Sequence, residues 1–387
     1  MFYLAGIVIT FFLSVLLAGK KGKSEADKIL TVWLIVIGLH LTTFYLYISG
    51  NYIRFPWLLG IELPLPLVHG PFLLLYTTAL TQERKIKIIG LLHFLPAVAA
   101  YILMISFFRL PVDKRISVYQ NSGLGFEWLT SVVFVTVIAS GIIYVFLCFL
   151  KLRQHKANIE NQFSNTARIN LNWLRYLIYG TAVIWIVVIT RLNDVWIFAT
   201  VVVYVFFIGY FGIRQVGIFS NSSAIKNKID SFSGKYPETK FNIENLQSGS
   251  PETTRPTPKL KYQKSSLADE DAKRIHGQLL QLMLKDKLFK DAELNLGELA
   301  DKLKVHANIL SQVINSFENK TFYDYINGLR VEEFKTLAAD PQSSQYTLLS
   351  LAFECGFNSK TAFNRNFRKA TGLSPSEYLN QIKINLT

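Results

Sequence analysis

The chain contains few of the residues that build covalently linked or metal-bound scaffolds. Only two of its 387 residues are cysteine, Cys148 and Cys355. The first lies deep in an apolar stretch and the second in the polar C-terminal part, so the sequence predicts neither a disulfide nor a metal site. Charged residues are also scarce, at 18%, whereas half of the chain is hydrophobic. This composition places the chain outside the ordinary soluble class.

The sequence also lacks the residue patterns of catalysis and transport. It has no HExxH motif, no paired aspartates at membrane depth and no array of carboxylates within its apolar segments. A catalytic site needs a nucleophile, acid or base, or metal ligands in a recognisable arrangement. We therefore expect that the chain is not an enzyme, and we expect no cofactor.

Long apolar runs crowd the part of the chain before residue 215. Seven windows reach the roughly 17 to 25 residues that a helix needs to cross the hydrocarbon of a bilayer. The third window contains Pro64, Pro66 and Pro71, so we expect a kink there. The windows are 2–18, 29–47, 63–80, 86–108, 126–150, 171–189 and 195–213. The sequence therefore predicts a seven-helix transmembrane bundle over residues 1–214.

Basic residues are distributed unevenly among the connections between these windows. The first, third and fifth connections hold most of the lysines and arginines, and the other three hold few. The positive-inside rule then places the N-terminus outside and, after seven crossings, the C-terminal part in the cytoplasm. The first window has no basic stretch before it, so we expect a retained helix rather than a cleaved signal peptide. These features predict a multi-pass protein of the inner membrane whose apolar helices contact the lipid bilayer.

A few polar residues lie in or beside the apolar windows, where burying them is costly. Four of them are candidate sensing residues: Glu62, His69, Arg191 and Asp194. The alternative, which is the more common situation, is that each is hydrogen-bonded between helices or hydrated at the membrane surface. We expect a small-molecule or membrane signal, whose identity the sequence does not specify.

The composition changes after the last apolar window. Residues 215–266 are rich in Ser, Thr, Asn, Lys and Pro, and such a stretch buries too little apolar surface to fold, so we predict a flexible linker. Order is expected to resume at Leu267 with an amphipathic helix that carries Ile275, Leu279 and Met283 on one face. That face could pack on the domain that follows or pair two copies of the chain.

The C-terminal stretch predicts two short helices joined by a tight turn over residues 347–370. Gly356 supplies the positive φ that the turn needs, and Ser359 can cap the helix that follows. Phe363 and Phe367 place an apolar stripe against the first helix. The residues left facing outwards are Lys360, Thr361, Asn364, Arg365 and Arg368.

This outer face of amides, hydroxyls and guanidinium groups suits the major groove of DNA, where Arg can bind guanine and basic side chains neutralise phosphates. The alternative is a solvated basic face on an ordinary helix pair. The formal net charge of +14 does not decide between them. Residues 259–387 hold 18 basic against 15 acidic side chains, a net charge of +3, so most of the excess belongs to the membrane half and the linker.

An earlier stretch, residues 295–317, repeats the pattern. Asn295 and Glu298 are spaced as a capping box, and Leu310 and Val313 line one face of the second helix of this pair. Residues 321–338 predict a single helix that connects the two pairs. The dipeptide of Asp340 and Pro341 ends it. The sequence therefore predicts two similar units on one connecting helix.

One run of residues resembles the signature of AraC/XylS-type transcription regulators: Ala352, Gly356, Phe357, Asn358, Ser359, Phe363, Arg365, Phe367, Gly372, Pro375 and Tyr378. The resemblance covers residues 267–387. It implies two helix-turn-helix units on a rigid linker helix, which place their second helices in successive major grooves about 34 Å apart. The chain departs from the family at Lys304, where Gly is usual, so we expect a strained or rebuilt first turn.

The resemblance also implies which side chains read DNA. Base reading falls to Asn308, Ser311 and Gln312 in the first unit and to Lys360, Thr361 and Arg365 in the second, with Arg368 beside them. An internal salt bridge is the alternative role of Arg365.

The sequence thus predicts an all-α chain with a seven-helix transmembrane sensor region, a flexible linker and a cytoplasmic DNA-binding domain. The preferred interpretation is a membrane-bound one-component transcription regulator. Its expected partners are double-stranded DNA, a second copy of the chain and, if it activates, RNA polymerase. The alternative is a membrane receptor or transporter whose C-terminal domain binds a protein partner, an interpretation favoured by Lys304 and the small charge of the domain.

Overall fold

The computed structural model describes residues 1–82, 88–166, 171–190, 193–214 and 269–386. Within these ranges the regular structure is helical, which confirms the predicted all-α class. The chain divides into two compact units, the first formed by Met1–Lys156 and Leu171–Phe219 and the second by Ala157–Asn170 and Ser220–Thr387. The predicted flexible linker, residues 215–266, and the candidate sensing residue Arg191 lie outside the described residues.

The first unit is a bundle of apolar helices. The second of them begins at a capping box, in which the amide of Asp27 donates to Ser24 Oγ and the amide of Ser24 donates to Asp27 Oδ2, at 3.1 and 2.9 Å. The helices are α1 (Phe2–Gly19), α2 (Glu25–Ile48), α3 (Pro66–Gln82), α4 (Leu95–Leu103), α5 (Ile105–Phe108), α6 (Val112–Gln120), α7 (Glu127–Gln162), α8 (Asn172–Ile189) and α9 (Asp194–Arg214).

Five of the described helices, namely α1, α2, α7, α8 and α9, are long and apolar enough to cross a membrane. The third predicted window forms α3, which is 17 residues long and contains Pro71. The fourth window is not one helix, as the sequence predicts, but a 3-10 segment, Ile88–Phe94, followed by α4 and α5. A proline in the first turn of α4 favours this break, because its ring fits the start of a helix and not the interior. The count of seven crossings stays a prediction.

The helices of the first unit pack around α2. Trp33, Leu34 and Leu41 of α2 are buried in one hydrophobic core with side chains of α1, α3, α7, α8 and α9. The helices α7 and α8 approach closely at Gly141, where an added Cβ would lie 2.2 Å from the Trp185 ring. Many large apolar side chains point outwards instead, including those of α1, α7 and α9. An apolar exterior of this kind is what helices present to lipid.

The second unit contains seven described helices: α10 (Asp269–Leu284), α11 (Leu296–Lys302), α12 (Ala307–Glu318), α13 (Phe322–Ala339), α14 (Leu348–Glu354), α15 (Lys360–Thr371) and α16 (Pro375–Leu386). The predicted connecting helix is confirmed as α13, which Thr321 caps at its start. The helix α10 places Ile275, Leu279 and Met283 in the core of the first helix pair. Of the two roles considered for this apolar face, the structure shows packing on the following domain.

The helix α13 belongs to two hydrophobic cores. Its first half contributes Phe322 and Ile326 to the core of α10, α11 and α12. Its second half contributes Val331 and Phe334 to the core of α14 and α15. One rigid helix therefore joins the two pairs, and neither pair is complete without it.

A single buried arginine lies where these two cores meet. Arg330 of α13 is 1% exposed. Its Nε donates to the carbonyl oxygen of Phe289 and its Nη2 to that of Asp291, both at 2.7 Å, and its Nη1 donates to Asn327 Oδ1 at 3.3 Å. The guanidinium lies 5.9 Å from the centre of the Phe357 ring. Burial lowers the pKa of Arg330 to about 10, so it remains charged at neutral pH.

The second unit also contains a segment that lies, in the sequence, more than a hundred residues before the unit's described helices α10 to α16. This docked segment, residues 157–166, includes the last residues of α7. Ser164, 1% exposed, donates from Oγ to the carbonyl oxygen of Leu294 at 2.5 Å and accepts there from Arg330 Nη2 at 3.2 Å. Its own carbonyl oxygen accepts from Asn327 Nδ2 at 2.9 Å. The docked segment therefore completes the hydrogen bonding of the buried Arg330.

Replacing the buried arginine tests its importance. Arg330→Met keeps an apolar stem but leaves the carbonyl oxygens of Phe289 and Asp291 without their donors. We expect the opening free energy of α13 to fall by about 3 kcal/mol. Hydrogen exchange of the full chain in detergent measures this value. The matched control is Lys335→Met, which removes a partly exposed ion pair with Glu332 and the contact of the ammonium group with the Tyr378 ring. Equal exchange in both variants would contradict the prediction.

Candidate nucleic-acid interface

The second helix pair has the geometry of a helix-turn-helix. The helix α14 ends at Glu354, Cys355 is its C-cap, and Gly356 follows with φ +94°. Ser359 then caps α15 by accepting from the amide of Ala362 at 3.2 Å. Phe363 and Phe367 are buried against α13 and α14, as predicted. Burial also raises the pKa of the Cys355 thiol to about 12, so this cysteine stays protonated and unreactive at neutral pH.

The polar face of α15 is open to solvent. The predicted outward side chains are all exposed: Lys360, Thr361, Asn364, Arg365 and Arg368. The helix ends at Gly372, which adopts φ +78°. Behind it, Ser374 and Glu377 form the predicted capping box of α16, with the amide of Ser374 donating to Glu377 Oε2 at 2.7 Å. This hydrogen bond lowers the pKa of the Glu377 carboxyl.

Arg365 is held in place by the connecting helix. Its Nη2 donates to the hydroxyl of Tyr323 at 2.5 Å, and its guanidinium lies 5.6 Å from the centre of the tyrosine ring. The same hydroxyl accepts from Asn366 Nδ2 at 2.7 Å. The internal partner of Arg365 is thus a neutral hydroxyl rather than the carboxylate of a salt bridge. The guanidinium keeps its full charge and several N–H donors for another partner.

The first helix pair presents its second helix differently. On α12, Asn308 is exposed, whereas Ser311 and Gln312 are half-buried. The carbonyl oxygen of Ser311 accepts from Asn315 Nδ2 at 2.9 Å. His306 precedes the helix and is exposed. The face of α12 is therefore less exposed and less basic than that of α15.

The two turns form the same hydrogen bonds even though one lacks glycine. In the second turn, the amides of Gly356 and Phe357 donate to Phe353 and Ala352, at 2.9 and 3.1 Å. In the first, the amides of Lys304 and Val305 donate to Asp301 and Ala300, at 3.1 and 3.0 Å. Lys304 adopts φ +55° to make this possible. Of the two expected outcomes, a strained or a rebuilt first turn, the structure shows the first: the exposed Lys304 has a strained left-handed backbone, and the hydrogen bonds of the turn are kept.

Three of the four candidate sensing residues lie together in the first unit. Glu62, His69 and Asp194 all line one cavity of about 750 Å³. Spacing in the sequence did not indicate this, because the three residues are far apart along the chain. In the part of the chain that the structure describes, no group of three or more His, Cys, Asp or Glu side chains is placed to hold a metal ion.

Sequence reasoning missed three residues that position the interface: Tyr323, Arg330 and Ser164. Arg330 could have been noticed, because it follows the buried Ile326 at helical spacing and a charge at such a position needs a buried partner. Tyr323 and Ser164 have no such signal, since their roles depend on contacts with residues distant in sequence.

Comparisons with known proteins agree with this geometry. A family model described as a helix-turn-helix domain matches residues 299–381. The melibiose operon regulatory protein of Escherichia coli K12 is 28% identical over 88 residues, which are 23% of this chain and 28% of that protein. Its counterpart from Escherichia coli O6:H1 matches to the same extent. The chain thus spans well under a third of the length of these relatives.

A solved structure, of a protein of unknown function from Listeria innocua, is 24% identical and covers 27% of this chain and 95% of its own. Its TM-score of 0.25 is too low to support an argument. The helical geometry, the family match and the two relatives define a helix-turn-helix domain at the C-terminus, of the kind by which transcription regulators bind DNA. It is an AraC-type domain, carried by a chain whose N-terminal helices are apolar enough for a membrane.

The geometry of the two turns predicts opposite effects on stability for removing glycine at position 356 and introducing it at position 304. In Gly356→Ala, the new Cβ would lie 2.6 and 2.7 Å from the carbonyl oxygens of Lys290 and Phe289. We expect this clash and the positive φ to destabilise α14 and α15 by about 2 to 4 kcal/mol. In Lys304→Gly, relief of the left-handed conformation outweighs the added freedom of the unfolded chain, and we expect a gain of up to about 1 kcal/mol.

Hydrogen exchange of α11 to α15 in the full chain measures both effects. A stabilising Gly356→Ala, or a Lys304→Gly that costs more than Gly356→Ala, would show that the turn geometry is not as described.

Proposed function

We propose that this protein is a membrane-embedded transcription regulator that binds a specific DNA sequence through both helix-turn-helix units. The observation that carries the proposal is the exposed, acid-free face of α15, presented by a domain of AraC type. The five apolar helices of the first unit support attachment to a membrane. The uneven distribution of basic residues supports an inner-membrane location with the N-terminus outside and the DNA-binding domain in the cytoplasm.

We assign base reading to the outer faces of α12 and α15. Arg365 is positioned for it, because Tyr323 fixes one side of its guanidinium and leaves the other donors open. A bidentate contact from such an arginine to guanine would specify the base, while Arg368 beside it would neutralise phosphate. The residues proposed to contact bases are Asn308, Ser311, Gln312, Lys360, Thr361 and Arg365.

The alternative function is a membrane receptor or transporter whose C-terminal domain binds a protein. Lys304 was one of the two features that favoured this alternative, because a rebuilt first turn would displace α12. The first turn instead keeps the hydrogen bonds of the second. The small net charge of the domain remains in its favour. Selective DNA binding decides between the two functions.

We further propose that the docked segment, residues 157–166, transmits the signal from the membrane region to the domain. The helix α7 runs without interruption from an apolar stretch to Gln162, two residues before Ser164. Ser164 is bonded to Leu294, Asn327 and Arg330, which lie at or beside the connecting helix α13. A change in α7 would therefore reach the helix that holds both DNA-reading units. The signal would thereby alter how the domains of two copies of the chain are presented to DNA, and RNA polymerase would be a further partner if the protein is an activator.

Substitution of Arg365 tests the DNA-reading face. We expect Arg365→Ala in the full chain to weaken binding to its selected genomic DNA fragment by about 1 to 3 kcal/mol, because a base contact is lost. Binding across a salt series separates this loss from a general loss of phosphate contacts. Arg274→Ala on α10 is the matched control, since Arg274 is exposed and paired only at the surface with Asp271.

A second variant leaves Arg365 and its charge unchanged and removes the hydroxyl group that holds its guanidinium. Tyr323→Phe deletes the hydroxyl that Arg365 contacts. We expect a smaller loss of selectivity than in Arg365→Ala. Nonselective DNA binding that neither Arg365→Ala nor Tyr323→Phe alters would support the protein-binding alternative.

Substitution of Ser164 tests the transmission path. Ser164→Val removes the hydroxyl that bridges Leu294 and Arg330. We expect faster hydrogen exchange at residues 288–294 and a several-fold change in transcription from the selected promoter in cells. Ser117→Val, at an exposed serine of α6, is the control. If Ser164→Val left both readouts at the level of the control, the docked segment would have no role in transmission.

A further inference from the structure

A cavity in the first unit is lined by an unusual combination of side chains. It measures about 750 Å³, a size that accommodates a small organic molecule. Aromatic side chains form much of its wall, among them Trp33, Phe44, Phe107, Tyr119, Trp185 and Phe198. Two carboxylate side chains, Glu62 and Asp194, also line it, and none of the described lining residues is lysine or arginine. The cavity therefore offers two acidic side chains and aromatic faces, and no lysine or arginine is among its described lining residues.

Glu62 is the group that most needs a partner. Its Oε1 is shielded from solvent, and no other residue in the described ranges forms a hydrogen bond to it. A shielded carboxyl oxygen without a donor is costly, since the desolvation of that oxygen is not repaid by a hydrogen bond. A ligand that brings a donor and a positive charge would remove this cost.

The two histidines of the cavity form a chain with fixed proton positions. Trp33 Nε1 donates to His69 Nδ1 at 3.2 Å, and His69 Nε2 lies 3.0 Å from His40 Nδ1. An indole N–H only donates, so His69 Nδ1 is unprotonated and its proton is on Nε2. That proton is donated to His40 Nδ1, so the proton of neutral His40 is on Nε2. This chain of hydrogen bonds keeps both histidines neutral, so neither brings a positive charge to the cavity.

We propose that this cavity binds an organic amine with an apolar body, whose ammonium group pairs with Glu62. Aromatic faces attract cations, and the attraction is stronger in a desolvated site. The apolar walls would bury the rest of the molecule. This inference rests on the proposed role of the first unit as the sensor, and it names the chemical class of its signal.

The test uses the full chain in nanodiscs of phosphatidylcholine, a lipid without net charge. The probe is dansylcadaverine, an amine joined by a five-carbon chain to a fluorescent ring system, and its N-acetylated form is the neutral analogue. Energy transfer to the dansyl group from the tryptophans of the chain, of which Trp33 and Trp185 line the cavity, reports binding. We expect saturable binding of the amine and at least tenfold weaker binding of the neutral analogue.

The matched variants are Glu62→Gln and Glu127→Gln. Glu62 lines the cavity, whereas Glu127 is an exposed residue at the start of α7. We expect at least tenfold weaker binding of the amine in Glu62→Gln and unchanged binding in Glu127→Gln. Equal binding of the amine and its neutral analogue to the unaltered chain would overturn the proposal, and that comparison needs no variant to fold. Unchanged binding in a folded Glu62→Gln would overturn it as well.

Selective DNA binding is measured on the same nanodiscs without the amine. If the amine does not bind but DNA is still bound selectively, the proposed ligand class is wrong and the proposed regulator stands. If DNA is not bound selectively, the proposed function as a transcription regulator is wrong, whether or not the amine binds.

Discussion

The arrangement of the C-terminal unit depends on how one buried guanidinium group is satisfied. Arg330 can remain charged in the interior only because main-chain oxygens of residues 289 and 291, the amide of Asn327 and the hydroxyl of Ser164 surround it. These acceptors come from three separate parts of the chain. Each must be in place for the others to be useful, because a partly satisfied buried charge is worse than none.

The same main-chain stretch explains why the second turn tolerates no side chain. The carbonyl oxygens of Phe289 and Lys290 pass over Gly356 at distances that leave no room for a Cβ. On the other side, Arg330 holds the oxygen of Phe289. The position of the second helix-turn-helix is thus set by contact with the segment that precedes the first. The two DNA-reading units share one junction in addition to the helix α13.

Residue pattern predicted the local structure well and the long-range contacts poorly. The caps at Ser359 and Ser374, the stripe of Phe363 and Phe367 and the limits of α13 follow from spacing, because each involves neighbours within one or two helical turns. Lys304 was judged by side-chain type, yet the hydrogen bonds of its turn are formed by the backbone.

The docked segment and the cavity could not be predicted in this way. Ser164 is an ordinary polar residue after an apolar helix until Leu294 and Arg330 are folded beside it. The polar residues of the cavity stood out in sequence because each is costly in an apolar helix. Which of them share a wall depends on how the helices pack, and the division of the fourth window into short elements changes that packing.

The order of the docked segment along the chain affects how the protein is made. Residues 157–166 leave the ribosome before any part of the domain that they complete, and Leu294 follows Ser164 by 130 residues. When α13 finally forms, the partner of Arg330 already exists at the end of a helix made with the apolar bundle. A chain cut between these regions would yield a domain with one buried donor unpaired. The apolar bundle is thus synthesised before the DNA-binding domain can be completed. A completed domain therefore indicates that the bundle has already been made.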